Sequence, residues 1–277
     1  MTVHHRSDRV VLHTGDAVQV LRELPTGSAD CVVTSPPYWG LRDYEVPGQY
    51  GHESTVEDYV ETMCRVFGEV VRVLTPDGTC WLNLGDSYGG SWGNYVAPGS
   101  TAPTSRDTTR RHHGCLRPPQ SRHRPKDLMG VPWRVAMALQ DDGWLLRNAI
   151  IWHKPNGMPA SVRDRLTCRY ETVFLLARSP HHVFNGGALD PDHLGDVWSI
   201  STRPYRSGHV AVGPIEIPLR AIQAGCGPGG VVLDPFSGTA TTGLAACQLG
   251  RSYIGIDLNP RFHDLAIVEL TQPGRRR

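Results

Sequence analysis

The feature that most constrains the fold is a strand–helix–strand pattern that occurs near both ends of the chain. In both segments, a short apolar run leads through a turn into a helical stretch, and a second apolar run follows. Units of this kind join neighbouring parallel strands. The pattern therefore predicts an α/β fold, with a mostly parallel sheet and helices on both faces. The predicted strands are residues 10–13, 29–34, 79–84, 144–154, 169–179, 231–233 and 253–256, and the predicted helices of the two units are residues 17–24 and 241–249. Residues 181–208 are expected to be irregular.

The 277 residues are enough for one large α/β domain, 1–277. Residues 87–127 interrupt the regular pattern, because Gly, Ser, Pro, Arg and His dominate them, and we expect an irregular insert there. Within it, the Arg-rich stretch 105–126 either contacts phosphates or forms a solvated loop, and composition leaves both open. The net charge of +1 argues against a wholly basic nucleic-acid binder.

The sequence also indicates several absences. No N-terminal apolar stretch suits a signal peptide and no apolar run approaches membrane-spanning length, so we expect a cytoplasmic protein without a membrane partner. The seven cysteines lack the spacing of a metal site, which predicts free thiols and no metal.

The loop after residues 231–233 carries the first sign of chemistry. Asp234 ends the strand, and Pro-Phe-Ser-Gly-Thr-Ala-Thr-Thr-Gly leads into the next helix. Glycine lets a ligand approach the backbone beside the positive N-terminus of a helix. Asp257 follows Gly238 by 19 residues, where an acid that binds ribose hydroxyls is expected. An ordinary tight turn is the alternative.

This loop suits a cofactor that has no phosphate. It departs from the Gly-x-Gly-x-x-Gly pattern, and a carboxylate at Asp234 would repel a pyrophosphate but attract an ammonium group. S-adenosylmethionine has a ribose, an amino group and no phosphate. The loop therefore predicts that cofactor.

The second sign of chemistry is Thr-Ser-Pro-Pro-Tyr at residues 34–38. The exocyclic amino group of cytosine or adenine is a poor nucleophile, because its lone pair is delocalised into the ring. The Ser35 hydroxyl and the Pro36 carbonyl are suitable acceptors for its two N–H groups, and Tyr38 can stack on a base rotated out of the duplex. Catalysis would then need positioning and hydrogen bonds but no covalent intermediate. A cytosine-C5 methyltransferase would need a cysteine, typically after proline, and no cysteine here follows proline.

Together these segments resemble the amino-group DNA methyltransferases, which modify cytosine N4 or adenine N6, and among them the permuted β class. The resemblance covers nearly the whole chain apart from the insert. It implies a Rossmann-like, S-adenosylmethionine-dependent methyltransferase fold in circularly permuted order, with the catalytic tetrapeptide before the cofactor loop. The segments that carry it are TSPPYWGLRDY, IIWHKPN, RDRLTCRYETVFLLARS, GDVWSI and VVLDPFSGTATTG.

The resemblance implies roles for individual residues. Ser35, Pro36, Pro37 and Tyr38 match the catalytic tetrapeptide. Asp16 matches an acid that contacts the cofactor's adenine, although it equally fits the N-cap of the helix that follows it. The family segment His-Phe-Ala-x-Phe-Pro is altered, since Val210 and Gly213 replace the phenylalanines, and Ala240 stands where glycine is frequent. The implied cofactor-binding residues are Asp16, Thr34, His209, Pro214, Asp234, Pro235, Phe236, Ser237, Gly238, Thr239, Thr241 and Asp257.

The same resemblance predicts the substrate and partners. A serine at the first position of the tetrapeptide is typical of cytosine-N4 enzymes, whereas Asp or Asn is typical of adenine-N6 enzymes, which remain the alternative. We expect double-stranded DNA as the substrate, with target recognition by residues 87–127 and about 181–208. The resemblance also allows a homodimer and a cognate restriction endonuclease. More distant alternatives are a nicotinamide-dependent oxidoreductase and a non-catalytic DNA-binding protein.

Overall fold

The computed structural model describes residues 2–44, 46–89, 123–157, 162–202 and 213–271. Most of the predicted insert, the end of the predicted recognition region and His209 lie outside these residues. Of the described helices, none combines the length and the apolar character that crossing a bilayer requires.

Within the described residues the chain forms nine strands and six α-helices. The strands are β1 (Thr2–Arg6), β2 (Val10–Thr14), β3 (Ala29–Thr34), β4 (Leu74–Leu84), β5 (Leu145–His153), β6 (Tyr170–Ala177), β7 (Val197–Ser199), β8 (Val231–Asp234) and β9 (Ser252–Asp257). The helices are α1 (Ala17–Glu23), α2 (Val56–Val73), α3 (Val131–Asp141), α4 (Glu216–Gly225), α5 (Thr241–Gln248) and α6 (Pro260–Thr271).

The strands form a single sheet in the order β1-β2-β9-β8-β3-β4-β6-β5-β7. Strands β2, β9, β8, β3 and β4 are parallel, whereas β6 is antiparallel to both of its neighbours. The last strands of the chain, β8 and β9, therefore lie between the first ones. The predicted α/β class, mostly parallel sheet and permuted order are confirmed.

The helices cover both faces of this sheet, as predicted. Residues of α1, α2 and α3 pack into one apolar core, for example Phe67 and Leu139. Residues of α4, α5 and α6 pack into the core on the other face, for example Ile222 and Ala245. Burial of these apolar faces, rather than helix propensity, is the main source of stability for helices of this length.

Two strands of the sheet are not predicted from the sequence, and a third is longer than predicted. β1 is a polar edge strand, and β7 has three residues and lies within the segment 181–208 that was expected to be irregular. β4 begins at Leu74 instead of residue 79, because Leu74 already pairs with Ala29 before a register shift. Edge strands and bulges are set by pairing with the rest of the sheet, which local sequence patterns do not reveal.

Candidate active site

A cavity of about 840 Å³ opens at the carboxyl ends of β3 and β8. These two strands are neighbours in the sheet, so the loops that follow them meet. The Thr34 hydroxyl donates a hydrogen bond of 2.6 Å to the carboxylate of Asp234, joining the loops directly. Ligands of open α/β sheets bind at such an edge, where successive strands are connected in opposite directions.

The structure brings nearly all of the predicted site residues together around this cavity. Asp16 does not line it, although its neighbours Gly15 and Ala17 do, and His209 lies outside the described residues. The predicted residues that line the cavity are Thr34, Ser35, Pro36, Pro37, Tyr38, Pro214, Asp234, Pro235, Phe236, Ser237, Gly238, Thr239, Thr241 and Asp257.

Backbone contacts fix the loop between β8 and α5. The two carboxylate oxygens of Asp257 accept hydrogen bonds of 2.8 Å each, one from the N–H of Gly238 and one from the N–H of Asn259. Gly238 has a φ of 50°, and an added Cβ there would meet no atom within 4 Å. Ala240 has a φ of 59° at the N-cap of α5. This left-handed conformation, which disfavours residues with a Cβ, explains why glycine is expected there.

Two buried carboxyl groups make this side of the cavity negatively charged. Burial raises the pKa of Asp234 to about 6 and that of Asp257 also to about 6. Both groups carry negative charge at neutral pH and would repel a phosphate, whereas they suit an ammonium group and ribose hydroxyls. The loop therefore fits S-adenosylmethionine better than a dinucleotide.

Asp16 has a structural role in this structure. One carboxylate oxygen accepts a hydrogen bond of 3.0 Å from the N–H of Gln19 and caps α1, and the other accepts one of 2.6 Å from the Tyr50 hydroxyl. The Tyr50 ring in turn contacts Phe236 edge to face. The interpretation of Asp16 as an N-cap is confirmed, and its contact with the cofactor's adenine stays a prediction.

The other side of the cavity is built from side chains of the sheet. The Ser35 hydroxyl donates to the Tyr38 oxygen at 3.1 Å, and the Tyr38 hydroxyl donates to Glu171 at 2.6 Å. The Asn83 amide donates to Tyr38 at 2.9 Å and to Glu171 at 3.0 Å. Lys154 forms an ion pair with Glu171. Burial, followed by the nearby charge of Glu171, raises the pKa of Tyr38 far above its usual range, so Tyr38 is a neutral phenol.

The sequence analysis assigned no role to Asn83, Lys154 or Glu171. Asn83 lies near the end of β4 and Lys154 directly follows β5, whereas Glu171 lies near the start of the antiparallel strand β6. The three side chains therefore reach the same edge of the sheet. Segments IIWHKPN and RYETV had been quoted for the resemblance, but only the strand directions show that their polar residues converge.

Tight packing fixes the position of the tetrapeptide. The Tyr59 hydroxyl of α2 donates a hydrogen bond of 2.9 Å to the Pro37 carbonyl. The Tyr38 ring lies against Gly85, where an added Cβ would lie 2.6 Å from Tyr38 Cε2. The segment after β3 is therefore a rigid platform rather than a plain strand exit.

Solved structures share this architecture. The PvuII DNA methyltransferase, described as cytosine-N4-specific, superposes with a TM-score of 0.75 at 19% identity, over 98% of this chain and 90% of that one. A protein of Thermus thermophilus, described as a DNA modification methylase and solved with S-adenosyl-L-methionine, gives a TM-score of 0.63 at 27% identity, over 95% and 94% of the two chains.

Relatives are also recognised from sequence. The type II methyltransferase M.Cfr9I of Citrobacter freundii is 42% identical over an alignment of 278 positions, which covers 96% of this chain and 91% of the relative. The type II methyltransferase M.SmaI of Serratia marcescens is 42% identical over an alignment of 271 positions, which covers 94% of this chain and 90% of the relative.

The family itself is defined by a profile described as "DNA methylase", which matches residues 29–268. The match includes the catalytic tetrapeptide, the cofactor loop and the Asn83–Lys154–Glu171 cluster, and it excludes the oxidoreductase alternative. The predicted cofactor, S-adenosylmethionine, is confirmed as that of this family. The chain belongs to the N6_N4_Mtase family of DNA methylases.

Proposed function

We propose that the protein transfers a methyl group to the exocyclic N4 of a cytosine that is flipped out of double-stranded DNA at a specific site. The observation that carries the proposal is the contact between Thr34 and Asp234. Because of this contact, Ser35, the first acceptor of the tetrapeptide, lies beside the loop that suits the methyl donor. The close approach of the two loops is required if the target base and the cofactor meet in the cavity.

The cofactor side has a role for each of its acids. Asp257 accepts hydrogen bonds from ribose hydroxyls, and Asp234 pairs with the ammonium group. Asp16, whose neighbours Gly15 and Ala17 line the cavity, would contact the adenine. When bound, S-adenosylmethionine supplies an electrophilic methyl group on a sulfonium.

The base side prepares the nucleophile. Ser35 Oγ and the Pro36 carbonyl accept the two N–H groups of the target base, which favours a tetrahedral nitrogen and frees its lone pair. Tyr38 contacts the base with its ring. These hydrogen bonds strengthen as positive charge develops on nitrogen, so they stabilise the transition state more than the ground state.

The choice of cytosine depends on Ser35. A neutral hydroxyl is typical of the cytosine-N4 members, and the adenine-N6 members more often have Asp or Asn at this position. Adenine N6 is the alternative substrate of the same platform.

Recognition of the DNA sequence falls to the variable parts of the chain. We assign it to the insert 87–127 and to residues 181–208, whose basic side chains are suited to phosphates and to guanine in the major groove. A cognate restriction endonuclease belongs to the same proposal, because relatives such as M.Cfr9I are type II methyltransferases, whereas a homodimer is an expectation from the family resemblance alone.

The test is to incubate duplex DNA of mixed sequence with the protein and methyl-labelled S-adenosylmethionine, and to digest the DNA to nucleosides. We expect label in N4-methylcytosine and a loss of at least about 10²-fold in Ser35→Ala. Ser7→Ala, in the turn before β2 and far from this edge, is the matched control and keeps the wild-type rate. Label in N6-methyladenine would establish the adenine alternative. Cofactor binding without label would point to a rare target site or to another substrate.

A further inference from the structure

Glu171 lies at the end of a hydrogen-bonded chain that starts at the proposed acceptor of the target amino group. Ser35 donates to Tyr38, and Tyr38 donates to Glu171. The Glu171 side chain is only 15% exposed, whereas Ser35 is exposed at the cavity, so the contacts of Glu171 are better shielded from water than the hydrogen bond between Ser35 and Tyr38. The direction of donation along these hydrogen bonds therefore depends on whether Glu171 can only accept.

Within the described part of the chain, every side chain that is hydrogen-bonded to the Glu171 carboxylate is a donor. One oxygen accepts from the Tyr38 hydroxyl and the Asn83 amide, and the other accepts from the Lys154 ammonium. An ionised carboxylate only accepts, and an ammonium only donates. Turning the Asn83 amide around would place its oxygen against two other oxygens. The carboxylate therefore requires Tyr38 to donate its single proton to Glu171.

The direction of the Tyr38 hydrogen bond in turn fixes the direction of the Ser35 hydrogen bond. Once the Tyr38 proton is directed to Glu171, the Tyr38 oxygen can only accept, and it accepts from Ser35 and Asn83. Ser35 has a single hydroxyl proton, and that proton lies between Ser35 and Tyr38. Only lone pairs of Ser35 Oγ remain for the cavity.

We propose that Glu171 is a positioning residue that makes Ser35 an obligate hydrogen-bond acceptor toward the target base. The inference deepens the proposed function and rests on it. A free serine hydroxyl either donates or accepts and would tolerate a carbonyl at this position of a base. Here a carbonyl oxygen would face lone pairs, whereas an amino group finds an acceptor. The cavity is thereby restricted to bases that carry an amino group, and sites built for one hydrogen-bonding pattern strongly reject the opposite pattern.

Glu171→Gln changes the direction of the chain with little change in shape. Lys154 keeps the amide oxygen, so the amide nitrogen faces Tyr38 as a donor, and Asn83 turns its amide oxygen toward it to accept. Tyr38 then no longer donates to residue 171, and the Ser35 proton is no longer held between Ser35 and Tyr38. Glu69→Gln, an acid paired with Arg72 on α2, is the matched control outside the site.

The first test is neutron diffraction on ligand-free crystals exchanged into D₂O. We expect deuterium on Ser35 Oγ directed to Tyr38 and deuterium on Tyr38 directed to Glu171. In Glu171→Gln we expect the deuterium on Tyr38 to point away from residue 171. Deuterium on Ser35 directed into the cavity of the wild-type protein would overturn the inference. The result does not depend on which base is methylated, so it is separate from the nucleoside analysis.

The second test is a double-mutant cycle with Tyr38→Phe and Glu171→Gln. We expect each change to lower kcat by roughly 10²-fold and to leave the Kd of S-adenosylmethionine within about twofold. The double variant should lose no more than the worse single variant, because both changes interrupt one chain. Losses that multiply, or a Kd that rises in parallel with the fall in kcat, would show a merely structural role for Glu171.

Discussion

The two sides of the cavity are held in place in different ways. On the cofactor side, Asp257 binds the backbone of Gly238 and Asn259, which are 19 and 2 residues away in the chain. On the base side, Tyr38 contacts Asn83 and Glu171, which are 45 and 133 residues away. The cofactor side therefore depends on one local strand–helix–strand unit, and the base side depends on the assembled sheet. We expect cofactor affinity and the methylation rate to be separable by mutation.

The largest effect is expected for Asp257→Asn. The amide nitrogen would face the N–H of either Gly238 or Asn259, and the charged acceptor for the ribose would be lost. We predict that the Kd of S-adenosylmethionine, measured by isothermal titration calorimetry, rises by about 10²-fold or more. The kcat at saturating cofactor should change little. Asp264→Asn, an exposed acid on α6, is the control. An unchanged Kd in Asp257→Asn would contradict the assignment.

A smaller effect, on kcat instead of cofactor affinity, is expected for Gly85→Ala. The new Cβ would lie 2.6 Å from Tyr38 Cε2 and would displace the ring from the base platform. We predict that kcat falls by roughly 10- to 100-fold, because small misplacements of catalytic groups are costly, and that the Kd of the cofactor is unchanged. Gly68→Ala, on the exposed side of α2 where a Cβ meets nothing, should keep full activity. Equal losses of kcat in Gly85→Ala and Gly68→Ala would contradict the role of the Tyr38 ring in positioning the base.

Acid should weaken cofactor binding to a lesser degree. Burial raises the pKa of Asp234 and of Asp257 to about 6, and both groups must be ionised to bind the cofactor as proposed. Between pH 7.5 and pH 5.5 we predict a loss of affinity of roughly tenfold, divided about equally between the intervals above and below pH 6. A pH-independent Kd over this interval would exclude these two carboxylates as ligands.

The ligand-free protein should show the opposite trend in stability. A carboxyl group whose folded-state pKa is raised keeps its proton longer when folded than when unfolded. The contribution of Asp234 and Asp257 to the free energy of unfolding therefore decreases as pH rises from about 4 to about 6. Replacing both with Asn should remove this part of the pH dependence, as measured by urea unfolding across the interval.

The smallest effect is expected for Thr34→Val, which removes the hydrogen bond to Asp234 and keeps the shape of the side chain. This contact joins the two sides, so both should be affected mildly. We predict a loss of about 1–2 kcal/mol in the free energy of unfolding and a few-fold change in both Kd and kcat. Thr271→Val, at the exposed end of α6, should change none of them. An effect on one parameter alone would show that the loops act independently.

The difference between the two sides also explains what the sequence could reveal. Asp234, Gly238 and Asp257 lie at fixed spacing within one strand–helix–strand unit, so their convergence followed from a local pattern. The Ser35–Tyr38 tetrapeptide was found because its residue types match a specific chemistry. The α/β class and the helices on both faces followed from apolar periodicity.

Other features depend on contacts that no local pattern records. Glu171 converges with Tyr38 only because β6 runs antiparallel to β4. The edge strands β1 and β7 form only by pairing with β2 and β5. Asp16 was consistent with two roles in the sequence, and the structure shows the helix cap together with a second partner, Tyr50.

The most direct test of the central claim is chromatography of nucleosides from duplex DNA methylated with S-adenosylmethionine that carries a deuterated methyl group. N4-methylcytosine and 5-methylcytosine are isomers of equal mass, so their separation identifies the atom that was methylated. The account predicts the deuterated methyl group on N4 of cytosine and its loss in Ser35→Ala. A deuterated methyl group on C5 of cytosine would contradict it, because Ser35 and Pro36 offer acceptors for an amino group and no nucleophile for the ring.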